Sequence, residues 1–160
     1  MKRILAIFAL VFVSLSAGAA CGPGEHTVFS CPIGKKWVSV CASKDLSPTA
    51  GYLQYRFGPE ASPEISFPPE TERPHPYVQA KTLMFSGGGG AYLRFVNGQY
   101  GYVVYTAIGK GWGTKDGVVV EKDGKQVASL KCGKPPVSEL GPEFFTSAGL
   151  PEDSEEFELP

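Results

Sequence analysis

The stretch "AYLRFVNGQYGYVVYTAIGKGWGTKDGVVVEKDGKQVASLKC", residues 91–132, decides the fold. Leu93 and Phe95 alternate with Tyr92 and Arg94, the two-residue period of a strand. Asn97-Gly98 then supplies a turn, and "QYGYVVYTAI" returns as a second strand. Asp123-Gly124 marks another hairpin, between "GVVVEK" and "KQVASLKC". By alternation, Leu93 and Phe95 face a core. Tyr92 and Arg94 are expected on the outer face, with Tyr100 and Tyr102 lined up beside them on the next strand.

The same pattern extends upstream. "HTVFSC" and "KWVSVCA" are short β-branched and aromatic runs separated by Pro and Gly, and Trp37 in the second is expected in the core. "GYLQYRFG" alternates Leu53, Tyr55 and Phe57 against Tyr52, Gln54 and Arg56. "EISF" follows a Pro-containing turn. "SGGGGA", residues 86–91, reads as a flexible turn or bulge entering the strand at Tyr92. No segment sustains a 3.6-residue period. The expectation is an all-β, single-domain antiparallel barrel or sandwich of about eight strands.

The chain begins with Lys2 and Arg3, an apolar run from Ile4 to Val13, and the small-residue zone "SLSAGAACGPG". Ala17-Gly18-Ala19 fits a signal-peptide cleavage pattern, so residues 1–20 read as a signal peptide and the product as periplasmic or secreted. An outer-membrane lipoprotein attached through Cys21 is the less favoured alternative, because it strands one of four cysteines in an oxidising compartment. Cys21, Cys31, Cys41 and Cys132 are expected to form two disulfides. A tight hairpin over "PIGKK" sets Cys31 near Trp37 and Cys41 near Thr27. Cys132 then bonds Cys31 or Cys41, and Cys21 takes the other.

The β-domain is placed at residues 21–134. Residues 21–136 carry 13 Lys/Arg against 9 Asp/Glu, whereas 137–160 carry 7 acidic residues and no basic one. The body is too mildly basic for nucleic acid to be a partner. Residues 135–160 read as an acidic, Pro-interrupted, mostly irregular tail, with Phe144 and Phe145 docking and the last ten or so residues loose. "PPETERPHPYVQA", residues 68–80, reads as a long loop.

Chemistry-bearing motifs are few. The sequence holds no nucleophile elbow, zinc-helix motif or P-loop. His26 and His75 lack partners at metal-ligand spacing, so no metal and no cofactor is expected. Glu25, Glu64, Glu121 and Asp116 lie in or near strands and are the carboxylates a hydrolase would use. If their strands were neighbours, Tyr52 and Arg56 would join Tyr92 and Arg94 on one aromatic and cationic face. Trp112 sits between Gly111 and Gly113, with Lys110 and Lys115 nearby. It either caps the core or presents an apolar anchor to a partner.

"FSC", "WVSVCAS", "GYLQYRFG", "GGGGAYLRF" and the long block from Tyr100 to Cys132 together resemble a family of small exported proteobacterial proteins that lack an assigned function. The resemblance covers about residues 25–132. A second likeness, of layout alone, is to the periplasmic C-type lysozyme inhibitors, which are disulfide-clasped β-barrels ending near a late Cys. Their active-site-binding motif is not recognisable, so no residue is carried over.

The function expected is a non-catalytic periplasmic binding module for an envelope glycan or protein, a lysozyme-inhibitor-like protein being one form. Trp112, Lys110, Lys115, Tyr92 and Arg94 are its expected contact residues, and a monomer is expected. The alternatives are a small envelope hydrolase using strand carboxylates and a structural accessory of an outer-membrane assembly.

Overall fold

Both hairpins form, the second at its expected turn residues and the first one residue beyond the expected Asn97-Gly98. At the second, Asp123 and Gly124 adopt φ of 51° and 72°, the paired positive values of a type I′ turn. At the first, Asn97 pairs with Tyr100, leaving Gly98 and Gln99 as the two-residue loop. The structure is a computed structural model and describes residues 21–160. The segment read as a signal peptide lies outside the described residues.

In chain order the elements are β1 (Glu25–Ile33), β2 (Lys36–Ser43), β3 (Leu53–Gly58), β4 (Ile65–Phe67), β5 (Val78–Phe85), β6 (Gly88–Asn97), β7 (Tyr100–Gly109), β8 (Gly113–Lys122), β9 (Lys125–Lys131), β10 (Val137–Ser138) and α1 (Pro142–Ser147). The described strands number ten rather than eight. They form two five-stranded antiparallel sheets, β10-β1-β2-β3-β4 and the meander β5-β6-β7-β8-β9. Neither closes on itself, so the architecture is a sandwich and not a barrel. The glycines at 88–90 are not a loose turn. They run in full register between β5 and β7.

The core lies between the sheets. Val38, Val40, Leu53 and Tyr55 of the first meet Leu93, Phe95, Tyr102 and Val104 of the second. Tyr55 and Tyr102 stack at 4.8 Å across the interface, so Tyr102 faces inward rather than outward. The two-residue loop explains the difference: Phe95 pairs with Tyr102, and Tyr92 with Tyr105. On β7 the even-numbered positions therefore share the inner face. Trp37 is only half-buried and stands outside the core cluster.

The disulfides are Cys21–Cys41 and Cys31–Cys132. Cys41 pairs with Thr27 as expected, but Cys31 lies opposite Val38 rather than Trp37. The two-residue loop of Gly34 and Lys35 sets Cys31 opposite Val38, and a bulge between Thr27 and Phe29 then brings Thr27 opposite Cys41. The sulfur of Cys21 is committed to Cys41. Two disulfides mark an oxidising, extracytoplasmic compartment. Among the described residues no helix is long and apolar enough to cross a membrane.

The last residues are not loose. After α1 the chain bridges the free edge of β5: Ala80 N–H donates to Pro151 O at 2.9 Å, and Asp153 N–H to Ala80 O at 3.0 Å. That contact covers an edge otherwise open to a foreign strand. The chain then crosses the outer face of the second sheet. Phe157 packs on Tyr92 at 4.8 Å and on Tyr105 at 5.8 Å, and Leu159 joins them over Val103 and Val119.

Candidate functional site

At one end of the second sheet, glycines remove the side chains from three neighbouring strands. Gly88 pairs with Gly109, and Gly109 with Gly113. Trp112 folds back from the β7–β8 turn onto this floor. A Cβ on Gly109 would lie 2.1 Å from Trp112 Cζ2, so the ring occupies the space of the missing side chain. Phe85 covers Gly88 in the same way, with its Cε2 2.7 Å from a Cβ built there. The two rings stand 5.7 Å apart, tilted by 39°. Lys110 N–H donates to Gly87 O at 2.9 Å and ties the two turns together. Lys115 Nζ lies 5.2 Å from the indole centroid, a cation–π contact.

Trp112 is therefore not a core plug. It is 40 % exposed, Phe85 is 37 % exposed, and Trp112 belongs to neither apolar cluster. On the opposite face of the same sheet end, Met84 and Ile108 flank Gly89 and are 90 % and 61 % exposed. Their face is the one that packs inward farther along the strands, so the first sheet does not reach this end. Exposed apolar side chains on both faces of a projecting edge set this region apart from the scattered exposure ordinary on protein surfaces.

Of the five expected contact residues, Trp112, Lys110 and Lys115 come together. Tyr92 and Arg94 do not join them, and neither is on an open face. Tyr92 is fully buried and Arg94 is 5 % exposed. Phe157 and Leu159 make the Tyr92 face a second small core, and the charge of Arg94 is neutralised beneath it. Its Nε donates to Asp153 Oδ2 at 2.7 Å, Nη1 to Glu121 and Nη2 to Glu156 O at 3.3 Å. Burial raises the Glu121 carboxyl above its usual range and the nearby Asp153 charge adds to this, while Arg94 opposes it. Burial also works against the charge of Arg94, but the hydrogen bond and charge of Asp153 outweigh it and hold the guanidinium more firmly protonated.

Arg56 and Tyr52 lie on β3 and on the loop before it, in the other sheet, so the single aromatic and cationic face does not exist. Arg56 instead grips Glu25 with two parallel bonds of 2.8 and 2.7 Å, and Tyr52 donates to the same carboxylate at 2.7 Å. Burial lifts Glu25, but the hydrogen bonds from Arg56, Gly22 and Tyr52 more than offset it and hold the carboxyl below its usual range. Burial, together with Glu25, pushes the Tyr52 phenol up to about 12, so it remains a donor.

The other strand carboxylates are separately occupied. Glu64 pairs with Lys36 at 2.7 Å, and Asp116 accepts from Thr106 at 2.6 Å. Cys21, Glu25 and Cys41 bring their ligand atoms within 4.8 Å of one another, but the two sulfurs are bonded to each other. His26 makes an exposed pair with Glu139 at 2.7 Å, and His75 is exposed.

Phe85, Met84 and Ile108 went unread in the sequence. The apolar run "LMF", one serine before four glycines, was the available sign. Comparison with protein-family models, with curated proteins and with solved structures finds no match.

Proposed function

We propose that this protein is a non-catalytic binding module of the periplasm or extracellular space, and that it holds a protein partner through the Trp112 end of its second sheet. One observation carries this reading: Trp112, Phe85, Met84 and Ile108 are gathered, exposed, on a projecting sheet end. A Trp held on a glycine floor is pre-positioned and loses little freedom on binding, as an interface anchor requires. Lys110 and Lys115 at its rim favour a partner with acidic groups around an apolar pocket.

A protein fits this surface better than a glycan. Sugar stacking needs a flat open ring face, whereas one face of Trp112 rests on Gly109 and Lys115 stands over the ring. Met84 is a flexible thioether and Ile108 a branched aliphatic group, both suited to filling apolar protein pockets. A projecting edge suits a concave partner, and inhibition of an envelope hydrolase by insertion into its cleft is one concrete form.

The test is site-specific photo-crosslinking in the producing organism. A crosslinker replacing Met84 or Ile108 should yield a discrete protein adduct. The same crosslinker at Val127, 58 % exposed on β9, should not. Equal labelling from all three positions, or none, contradicts the reading. Labelling of glycan alone transfers the surface to the other ligand class.

A further inference from the structure

Beside the Trp112 surface lies a groove of about 270 Å³, walled by the start of β8, the end of β9 and the segment after Cys132. Three cations line it: Lys115, Lys131 and Lys134. Tyr105 reaches it from β7. Register sets Tyr105 opposite Gly117, and Gly117 opposite Lys131, so the phenol crosses a position without a side chain to reach the lysines. A Cβ on Gly117 would lie 3.1 Å from the Tyr105 hydroxyl.

That hydroxyl is the unusual feature. Tyr105 is fully buried, and among the described residues its Oη makes no hydrogen bond of full geometry, Ser129 standing close enough only for a weak one. Ser129 Oγ, on the same face of β9, is buried and likewise makes no hydrogen bond of full geometry, so the two hydroxyls satisfy each other weakly at best. A poorly paired buried hydroxyl costs free energy, and native folds seldom leave one idle. Burial pushes the phenol above its ordinary value, with Ser129 opposing and the charge of Asp116 adding to the shift, so Tyr105 is a proton donor at neutral pH. The one carboxylate lining the groove, Asp116, is held by Thr106. The local balance is three lysines to one engaged acid.

We infer that this groove is an oxyanion site, in which Tyr105 donates a hydrogen bond to a phosphate or carboxylate that Lys115, Lys131 and Lys134 neutralise. A donor fixed by burial supplies direction, and the mobile ammonium groups supply charge. Lys115 also touches Trp112, so an anion here would sit next to the apolar surface. The inference goes beyond the proposed docking surface and rests on the groove alone.

The experiment is amide NMR of the intact oxidised protein during titration with inorganic phosphate and, separately, with acetate, at constant ionic strength balanced by chloride. Saturable shifts at Tyr105, Gly117 and Lys131 are expected with at least one of the two. Phosphate alone assigns a phosphate-bearing ligand, and saturation by acetate assigns a carboxylate. Tyr105→Phe should weaken the affinity about tenfold. Its melting temperature should hold or rise, because the change removes a poorly paired buried hydroxyl. Linear shifts spread over all surface lysines, or equal affinity in Tyr105→Phe, would overturn the inference. Crosslinking at Met84 and Ile108 can fail without affecting this result, and the reverse also holds.

Discussion

Arg94 Nε donates to Asp153 Oδ2 at 2.7 Å, joining the middle of β6 to a residue 59 positions later. Both side chains are nearly out of solvent, at 6 % and 0 % exposure. This pair anchors the segment that closes the β5 edge and roofs Tyr92 and Tyr105. Asp153→Ala would leave a buried guanidinium with Glu121 as its remaining carboxylate, and breaking such a pair costs about 3 kcal/mol. The expected result is a lower denaturation midpoint, with residues 151–160 becoming sensitive to a Glu-directed protease. An unchanged midpoint and cleavage rate would show that Phe157 and Leu159 hold the segment alone.

Glu25 and Glu121 should give opposite pH slopes. Glu25 has a lowered pKa when folded, so its contribution is present above the ordinary value of 4.5 and is lost as pH falls through the folded value. Glu121 has a raised pKa, so its contribution is present below 4.5 and is lost as pH rises through the folded value. In denaturant titrations between pH 3 and pH 7, the deficit of Glu25→Gln against wild type should therefore shrink toward acid. Glu121→Gln should improve relative to wild type as pH rises. Parallel curves for the two variants would refute the assignment.

The disulfides should differ in weight. Cys31–Cys132 closes 101 residues and Cys21–Cys41 closes 20. Chain entropy sets these at about 4.7 and about 3 kcal/mol. Removing the first as a double Ser variant should lower the unfolding midpoint more than removing the second. The reverse order would mean that the short clasp protects local structure beyond its loop.

The glycine floor predicts a spectroscopic effect. Gly109→Ala places a methyl where the Trp112 ring lies, so the ring must leave its seat. In a Trp37→Phe background, the emission of Trp112 should shift to the red and quench more readily with iodide. No change would mean that the ring is not seated on Gly109.

Much of the fold was legible because its signals are local. Asp123-Gly124 specifies its turn whatever surrounds it, and four cysteines in an exported chain imply two bridges. The covered outer face of β6 was not legible. Alternation at Tyr92-Leu93-Arg94-Phe95 separates two faces but does not say that the second is wet. Its roof comes from Phe157, some 60 positions away. The inward face of Tyr102, by contrast, follows from any two-residue loop at this turn, which exchanges parity between β6 and β7. At the candidate site, Trp112 between two glycines was visible. Its meeting with Phe85 was not, since that depends on the register of β5 and β6 across the glycine run.

The most direct measurement compares Trp112→Ala with wild type for both melting temperature and affinity for the partner crosslinked at Met84 or Ile108. The ring is partly exposed and outside the core, so the variant should stay folded and lose no more than about 1 kcal/mol of stability. Its affinity should fall by tenfold or more, the loss typical of an aromatic anchor. A variant that melts far earlier yet binds as wild type would contradict the account and return Trp112 to a structural role.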